Sequence, residues 1–110
     1  NALIDACAKA AEVDRAFEVL NQMVLEGVQP NTTTYTALID ACGKTQQLER
    51  AFNVLGKMVM EGIKPNTATY TCLVDACGKA QQLERAFEVL QMMQDARVQA
   101  NTHTYNALID

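Results

Sequence analysis

Thr33, Thr36, Asp40 and Lys44 are spaced by three, four and four residues, which puts two hydroxyls, a carboxylate and an ammonium on one stripe of a helix. Thirty-five residues on, the stripe returns as Ala68, Thr71, Asp75 and Lys79. Asn1, Asp5 and Lys9 precede it, and His103, Asn106 and Asp110 follow. An asparagine stands just ahead of each later copy: Asn31, Asn66 and Asn101. Hydroxyls and amides donate and accept hydrogen bonds, but bond-breaking needs more than that. His103 is the single histidine, so a histidine-based metal site or catalytic dyad lacks its second member, and His103 reads as a surface residue. No H-x-E with C-x-x-C, nucleophile elbow, P-loop or GxGxxG occurs. The expectation is therefore no catalytic residue, no metal ligand and no cofactor. Rows of polar side chains, one per unit, suit binding.

Two further features narrow the chemistry. The formal net charge is −4, whereas proteins that hold nucleic acid without regard to sequence are usually basic. Bulk charge is then not the main attraction for a partner. Cys7, Cys42 and Cys77 share one repeat position, and Cys72 stands apart. Stacked helices lie about 10 Å apart, too far for a disulfide, which needs Cα atoms within about 7 Å. These cysteines read as small buried residues in a reducing compartment. No apolar run approaches the roughly 18–20 residues of a membrane span, so neither a membrane nor a small-molecule substrate is expected as partner.

The elements that must position these groups follow from self-similarity. Thr67–Asn101 matches Thr32–Asn66 at 21 of 35 positions, and the flanking stretches continue the register. Such a period signals a solenoid of stacked units that bury their faces on one another. The units run 1–31, 32–66, 67–101 and 102–110, the first cut at its start and the last a first helix only. With no initiating Met and both ends in mid-element, a longer array is expected to contain this chain. Within 32–66, Tyr35, Leu38, Ile39 and Cys42 follow helical spacing, so a first helix A covers about 33–44. The Thr32–Thr34 hydroxyls supply its N-cap, and Gly43 and Lys44 mark its end. Leu48, Ala51, Phe52, Leu55, Met58 and Val59 continue the spacing in a second helix B over about 47–61, closed by Gly62 and Pro65. In the next unit Arg97 and Ala100 replace that glycine and proline, so an irregular turn or a helix about one residue longer is expected there. Met58, Met60, Met92 and Met93 read as packing, and the Glu49-Arg50 and Glu84-Arg85 pairs as a solvated outer face of helix B.

A 35-residue period of helical hairpins, T-Y-[TN]-x-L-[IV]-D opening helix A, A-F-x-V-L in helix B and G-[VI]-[QK]-P-N at the end together resemble pentatricopeptide repeats over the whole chain. The resemblance implies an all-α fold, a right-handed α-solenoid of antiparallel helix-turn-helix repeats. It also implies that each unit reads one base of single-stranded RNA through the residue after the helix-A tyrosine and the last residue of the unit. Here those are Asn1 with Asn31, Thr36 with Asn66, Thr71 with Asn101, and Asn106 without its companion. By the family's pairing the implied RNA is 5′-C/U-A-A-3′. Thr33, Ala68 and His103 occupy positions that flank the base, where the family usually has an aliphatic residue. Lys9, Lys44 and Lys79 match a lysine that meets phosphates, although each also sits four residues after an aspartate, as a local ion pair would. Plastid or mitochondrial RNA processing, stabilisation, splicing or translation is implied for the parent. A protein–protein scaffold, the usual work of tetratricopeptide relatives, stays open as the alternative, with other proteins as partners. The 35-residue period and the missing W-x-x-L-G-x-x-Y signature argue against it.

Overall fold

The computed structural model describes residues 2–10 and 12–109. Seven α-helices and no strand occur among them: α1 (Ala2–Lys9), α2 (Val13–Leu25), α3 (Thr32–Lys44), α4 (Leu48–Met60), α5 (Thr67–Lys79), α6 (Leu83–Asp95) and α7 (Thr102–Ile109). Each odd-numbered helix packs on the even-numbered one that follows, and the odd-numbered helices pack on one another. The result is an all-α helical-repeat solenoid, with helices A on one side and helices B on the other.

Local chemistry sets the helix ends. The N-cap is not one of the threonines, as the sequence suggested, but Asn31. Its Oδ1 accepts the Thr34 backbone N–H at 3.0 Å, and the Thr34 hydroxyl accepts the Asn31 N–H at 3.2 Å. Asparagine is among the best capping residues and threonine at the third helical position can reciprocate, so the cap falls one residue earlier. Asn66 and Thr69 repeat the arrangement on α5. At the other end of α4, Gly62 has φ +76°, with Gly62 N–H donating to the Val59 carbonyl and Ile63 N–H to that of Met58. That is a Schellman closure.

Arg97 corrects the expectation of a disturbed third turn. It adopts φ +59°, donates to the Gln94 carbonyl, and leaves α6 with the same 13 residues as α4. Val98 N–H also donates to the Met93 carbonyl, so the same two bonds that close α4 at Gly62 close α6, and the arginine bears the steric cost of a left-handed residue. Gly43 also differs from its expected role. The left-handed residue closing α3 is Gln46, at φ +58°. Gly43 lies inside the helix, where a Cβ would come within 3.0 Å of the Ala76 Cβ. It lets α3 and α5 approach closely.

The core runs along helices A: Tyr35, Leu38, Ile39 and Cys42 in α3, and Tyr70, Leu73, Val74 and Cys77 in α5. From helices B, Met58 and Met93 join it, whereas Met60 and Val59 face solvent, contrary to expectation. Burial in α4 falls on Leu48, Ala51, Val54, Leu55 and Met58, leaving Val59 and Met60 on the open side.

The arginines of helix B also differ from a plain solvated face. Arg50 stacks 4.5 Å above the Phe17 ring and donates to Asp14 at 3.0 Å. Arg85 stacks 4.5 Å above Phe52 and donates to Glu49 at 2.6 Å. Each arginine therefore reaches back to the preceding helix B, because a guanidinium can cover a ring face and bind a carboxylate together.

Candidate functional site

Helices α3 and α5 open with threonines two residues apart, and the fold gives them separate tasks. Thr32 Oγ1 donates to the Lys64 carbonyl at 3.0 Å, and Thr67 Oγ1 to that of Gln99 at 2.7 Å. The first turn of one helix A thus holds the strand of loop that leads into the next. Thr69, wholly buried, works in the cap. Asn66 Oδ1 accepts from Thr69 N–H at 3.0 Å and from its hydroxyl at 2.9 Å, while Asn66 N–H donates to Thr69 Oγ1 at 3.2 Å. Across the seam, Thr36 Oγ1 of α3 lies 2.6 Å from Thr69 Oγ1. Thr36, Thr69 and Asn66 are one hydrogen-bonded chain joining neighbouring units.

Thr71, Thr104 and Asn101 repeat it. The hydroxyls of Thr71 and Thr104 are 2.7 Å apart, Thr104 donates to Asn101 Oδ1 from N–H and from hydroxyl at 3.0 Å each, and Asn101 N–H donates back at 3.3 Å. Both chains end at an exposed asparagine.

Two cavities open beside these chains. One of about 350 Å³ is lined by Thr33, Thr36, Asp40, Asn66, Ala68 and Cys72. The next, of about 370 Å³, is lined by Ala68, Thr71, Cys72, Asp75, Asn101 and His103. The fold therefore gathers Thr36 with Asn66, and Thr71 with Asn101, each pair beside two of the three flanking residues. Thr36 is half-buried and Thr71 only 5% exposed. Asn31 caps α3 and is exposed, while Asn1, its expected companion, lies outside the described residues. Asn106 is exposed on α7, and Lys9 is exposed at the end of α1. A hollow of similar size beside Ala6, Cys7, Arg15 and Val19 holds no such constellation.

Charge in the groove is balanced locally. Lys44 Nζ is 3.0 Å from Asp40 and Lys79 Nζ 3.2 Å from Asp75, all partly exposed. Sequence reasoning missed Cys72, which lines both cavities; its signal was being the one cysteine off the 35-residue spacing. Burial first, then the nearby Asp40 and Asp75 carboxylates, push its thiol up to about 11. It is a neutral, soft wall rather than a nucleophile. Behind the groove, Tyr35 donates its hydroxyl to Glu61 at 2.8 Å, and burial with that bond pushes its pKa up to about 12. Among the described residues no three His, Cys, Asp or Glu side chains cluster as metal ligands, and no helix is long and apolar enough to cross a membrane.

Comparison with known proteins places the fold. The family profile for the pentacotripeptide-repeat region of PRORP matches residues 1–110. No curated protein sequence matches the chain. Among solved structures, the pentatricopeptide repeat protein PPR10 in complex with an 18-nt psaJ RNA element is 28% identical over 97% of this chain, with a TM-score of 0.93. A structure of the pentatricopeptide repeat protein PPR10 from maize gives 0.83 at the same identity over 97% of this chain. The PPR domain of Arabidopsis thaliana protein-only RNase P 1 in complex with tRNA, 24% identical over 96% of this chain, shares the fold at a TM-score of 0.77. The chain spans 16% of the length of the RNA-bound PPR10 chain and 56% of that RNase P domain.

Proposed function

The chain belongs to the pentatricopeptide-repeat family, and on that premise we propose that it is a module that binds single-stranded RNA and reads one base per unit. The carrying observation is the meeting of Thr36 and Asn66 in one cavity beside Thr33 and Ala68, and its recurrence 35 residues on at Thr71 and Asn101. A base entering either cavity meets a hydroxyl and an amide that can bond its edge, with a side chain on each side to cover its faces. The similarity to PPR10, solved with RNA, supports the same reading.

In this proposal the units are 1–31, 32–66, 67–101 and 102–110, and the RNA read is 5′-C/U-A-A-3′. Asn1 with Asn31 reads the first base, and Asn106 begins a fourth pair. Lys9, Lys44 and Lys79 meet phosphates. Exposed ion pairs such as Lys44–Asp40 are weak, so an arriving phosphate can compete for the ammonium. The module binds and does not catalyse, and it works in a plastid or mitochondrial RNA-processing, stabilising or translation factor.

Asn66→Asp tests the reading. One carboxylate oxygen keeps both bonds to Thr69 while the other offers an acceptor where the amide offered a donor. Titration of the 110-residue chain with CAA-type RNA should show the second base preference moving from adenine towards guanine, by about tenfold. Equal binding of CAA, scrambled RNA and the matching DNA by the native chain would instead favour a protein-binding scaffold.

A further inference from the structure

Thr69 and Thr104 touch no part of either cavity's rim, yet their hydroxyls decide what the reading pairs can offer. The proton count is closed. Asn66 Oδ1 must be the oxygen of the amide, because the Thr69 backbone N–H donates to it. An oxygen cannot donate, so the 2.9 Å contact between Thr69 Oγ1 and Asn66 Oδ1 requires the Thr69 proton. Thr69 Oγ1 is then left with lone pairs alone, one taken by Asn66 N–H at 3.2 Å. The 2.6 Å contact with Thr36 must therefore carry the Thr36 proton. Thr71, Thr104 and Asn101 close the same count at 2.7, 3.0 and 3.0 Å.

We propose that Thr69 and Thr104 are specificity-determining positioning residues, which hold Thr36 and Thr71 as acceptors and Asn66 and Asn101 as donors. This rests on the base-reading function proposed above. With its proton turned inward, the Thr36 hydroxyl presents only lone pairs to the cavity. With its oxygen bonded twice inside the cap, the Asn66 amide presents its NH₂. An acceptor beside a donor fits a base edge that carries an amino group next to an unprotonated ring nitrogen, as adenine does. It opposes an edge that carries a carbonyl next to a ring N–H, as guanine and inosine do. Thr69 is wholly buried on the seam between α3 and α5, so water cannot supply the missing proton or accept it.

The test uses the 110-residue chain and short CAA-type RNAs with adenosine or inosine at the second or third position, titrated at low salt. Inosine exchanges the donor and acceptor of adenosine with little change in shape. The native chain should prefer adenosine at both positions by about tenfold. Thr69→Val, which keeps the shape and removes the hydroxyl, should bring the second-position ratio to within about twofold while the third-position ratio stays. Thr69→Ser should restore it, and thermal melting of each variant separates specificity from folding. A folded Thr69→Val chain with an unchanged second-position ratio overturns the role of Thr69. Failure of the native chain to distinguish CAA from scrambled RNA overturns base reading itself, which is a different result. If Thr69→Val does not fold, hydroxyl-proton NMR of the native chain decides. The Thr69 proton should lie on Asn66 Oδ1 and the Thr36 proton on Thr69 Oγ1, and a Thr36 proton directed into the cavity overturns the proposal.

Discussion

Neighbouring units are joined along two edges that follow opposite physical rules. On the helix-A edge, α3 and α5 approach so closely at Gly43 that an added Cβ would lie 3.0 Å from the Ala76 Cβ, and threonine hydroxyls meet across the seam. On the helix-B edge, α2, α4 and α6 never bring Cα atoms within 8 Å of one another. Long arginines span that gap, laid over Phe17 and Phe52 and bound to exposed carboxylates. A small-residue contact fixes a distance, because interiors are close-packed and yield little. A flexible arm across water tolerates a range of distances. The candidate pairs Thr36–Asn66 and Thr71–Asn101 sit on the edge where spacing is fixed, and the edge that can stretch carries neither of them.

Alkaline titration should break the two edges apart most strongly. Burial pushes Tyr35 from 10.0 up to about 12, and Cys42 and Cys77 from 9.0 up to about 11. Folding thus favours their neutral forms. The resulting stability is whole below pH 9 and is lost as pH climbs through 11 and 12. Tyr35 alone accounts for about 2–3 kcal/mol, at 1.36 kcal/mol per pK unit. All three groups lie on helices A, so circular dichroism between pH 8 and 12 should report loosening of that edge. Tyr35→Phe should keep a larger part of its native signal at pH 12; identical curves would refute the assignment.

Gly43→Val comes next. A branched side chain 3.0 Å from the Ala76 Cβ forces the helices apart, at about 1–3 kcal/mol. The melting temperature should fall by roughly 5–15 °C. Gly56→Ala on α4, where a Cβ meets nothing within 4 Å, is the matched control and should not lower it. If both variants melt alike, the helix-A edge is not the tight one.

Arg50→Ala should cost least, about 1 kcal/mol for the lost stacking on Phe17 and the bond to Asp14. Its deficit against the native chain should shrink as salt rises, because exposed charges are screened. A salt-independent deficit would mean that packing of the arginine stem, not charge, spans the gap.

Much of this was legible in the sequence, for reasons that differ by residue. The 35-residue period and the spacing of Tyr35, Leu38, Ile39 and Cys42 placed each helix A within a residue or two, since burial follows helical period directly. The cap was displaced onto Asn31, because a run of three threonines hides which residue ends the extended backbone. Arg97 misled because its type argues against positive φ, while the Schellman bonds around it argue for it. Arg50 and Asp14 are 36 residues apart, and only the stacking brings them together. The candidate pairs Thr36–Asn66 and Thr71–Asn101 came from family resemblance. That Thr69 and Thr104 bind each pair into one network is a matter of hydroxyl direction, on which sequence is silent.

Thr36 belongs to one helix A and Asn66 caps the next, so each cavity is owned jointly by two units. Under the base-reading proposal, unit 32–66 carries both Thr36 and Asn66, but Thr69, whose hydroxyl bonds to both, and the flanking Ala68 belong to the next unit. Exchange of a whole unit would move a candidate pair intact and change the neighbours that hold it. The stretch that keeps a pair with its own support reaches three residues beyond the repeat that the eye finds first, into the first turn of the next helix A.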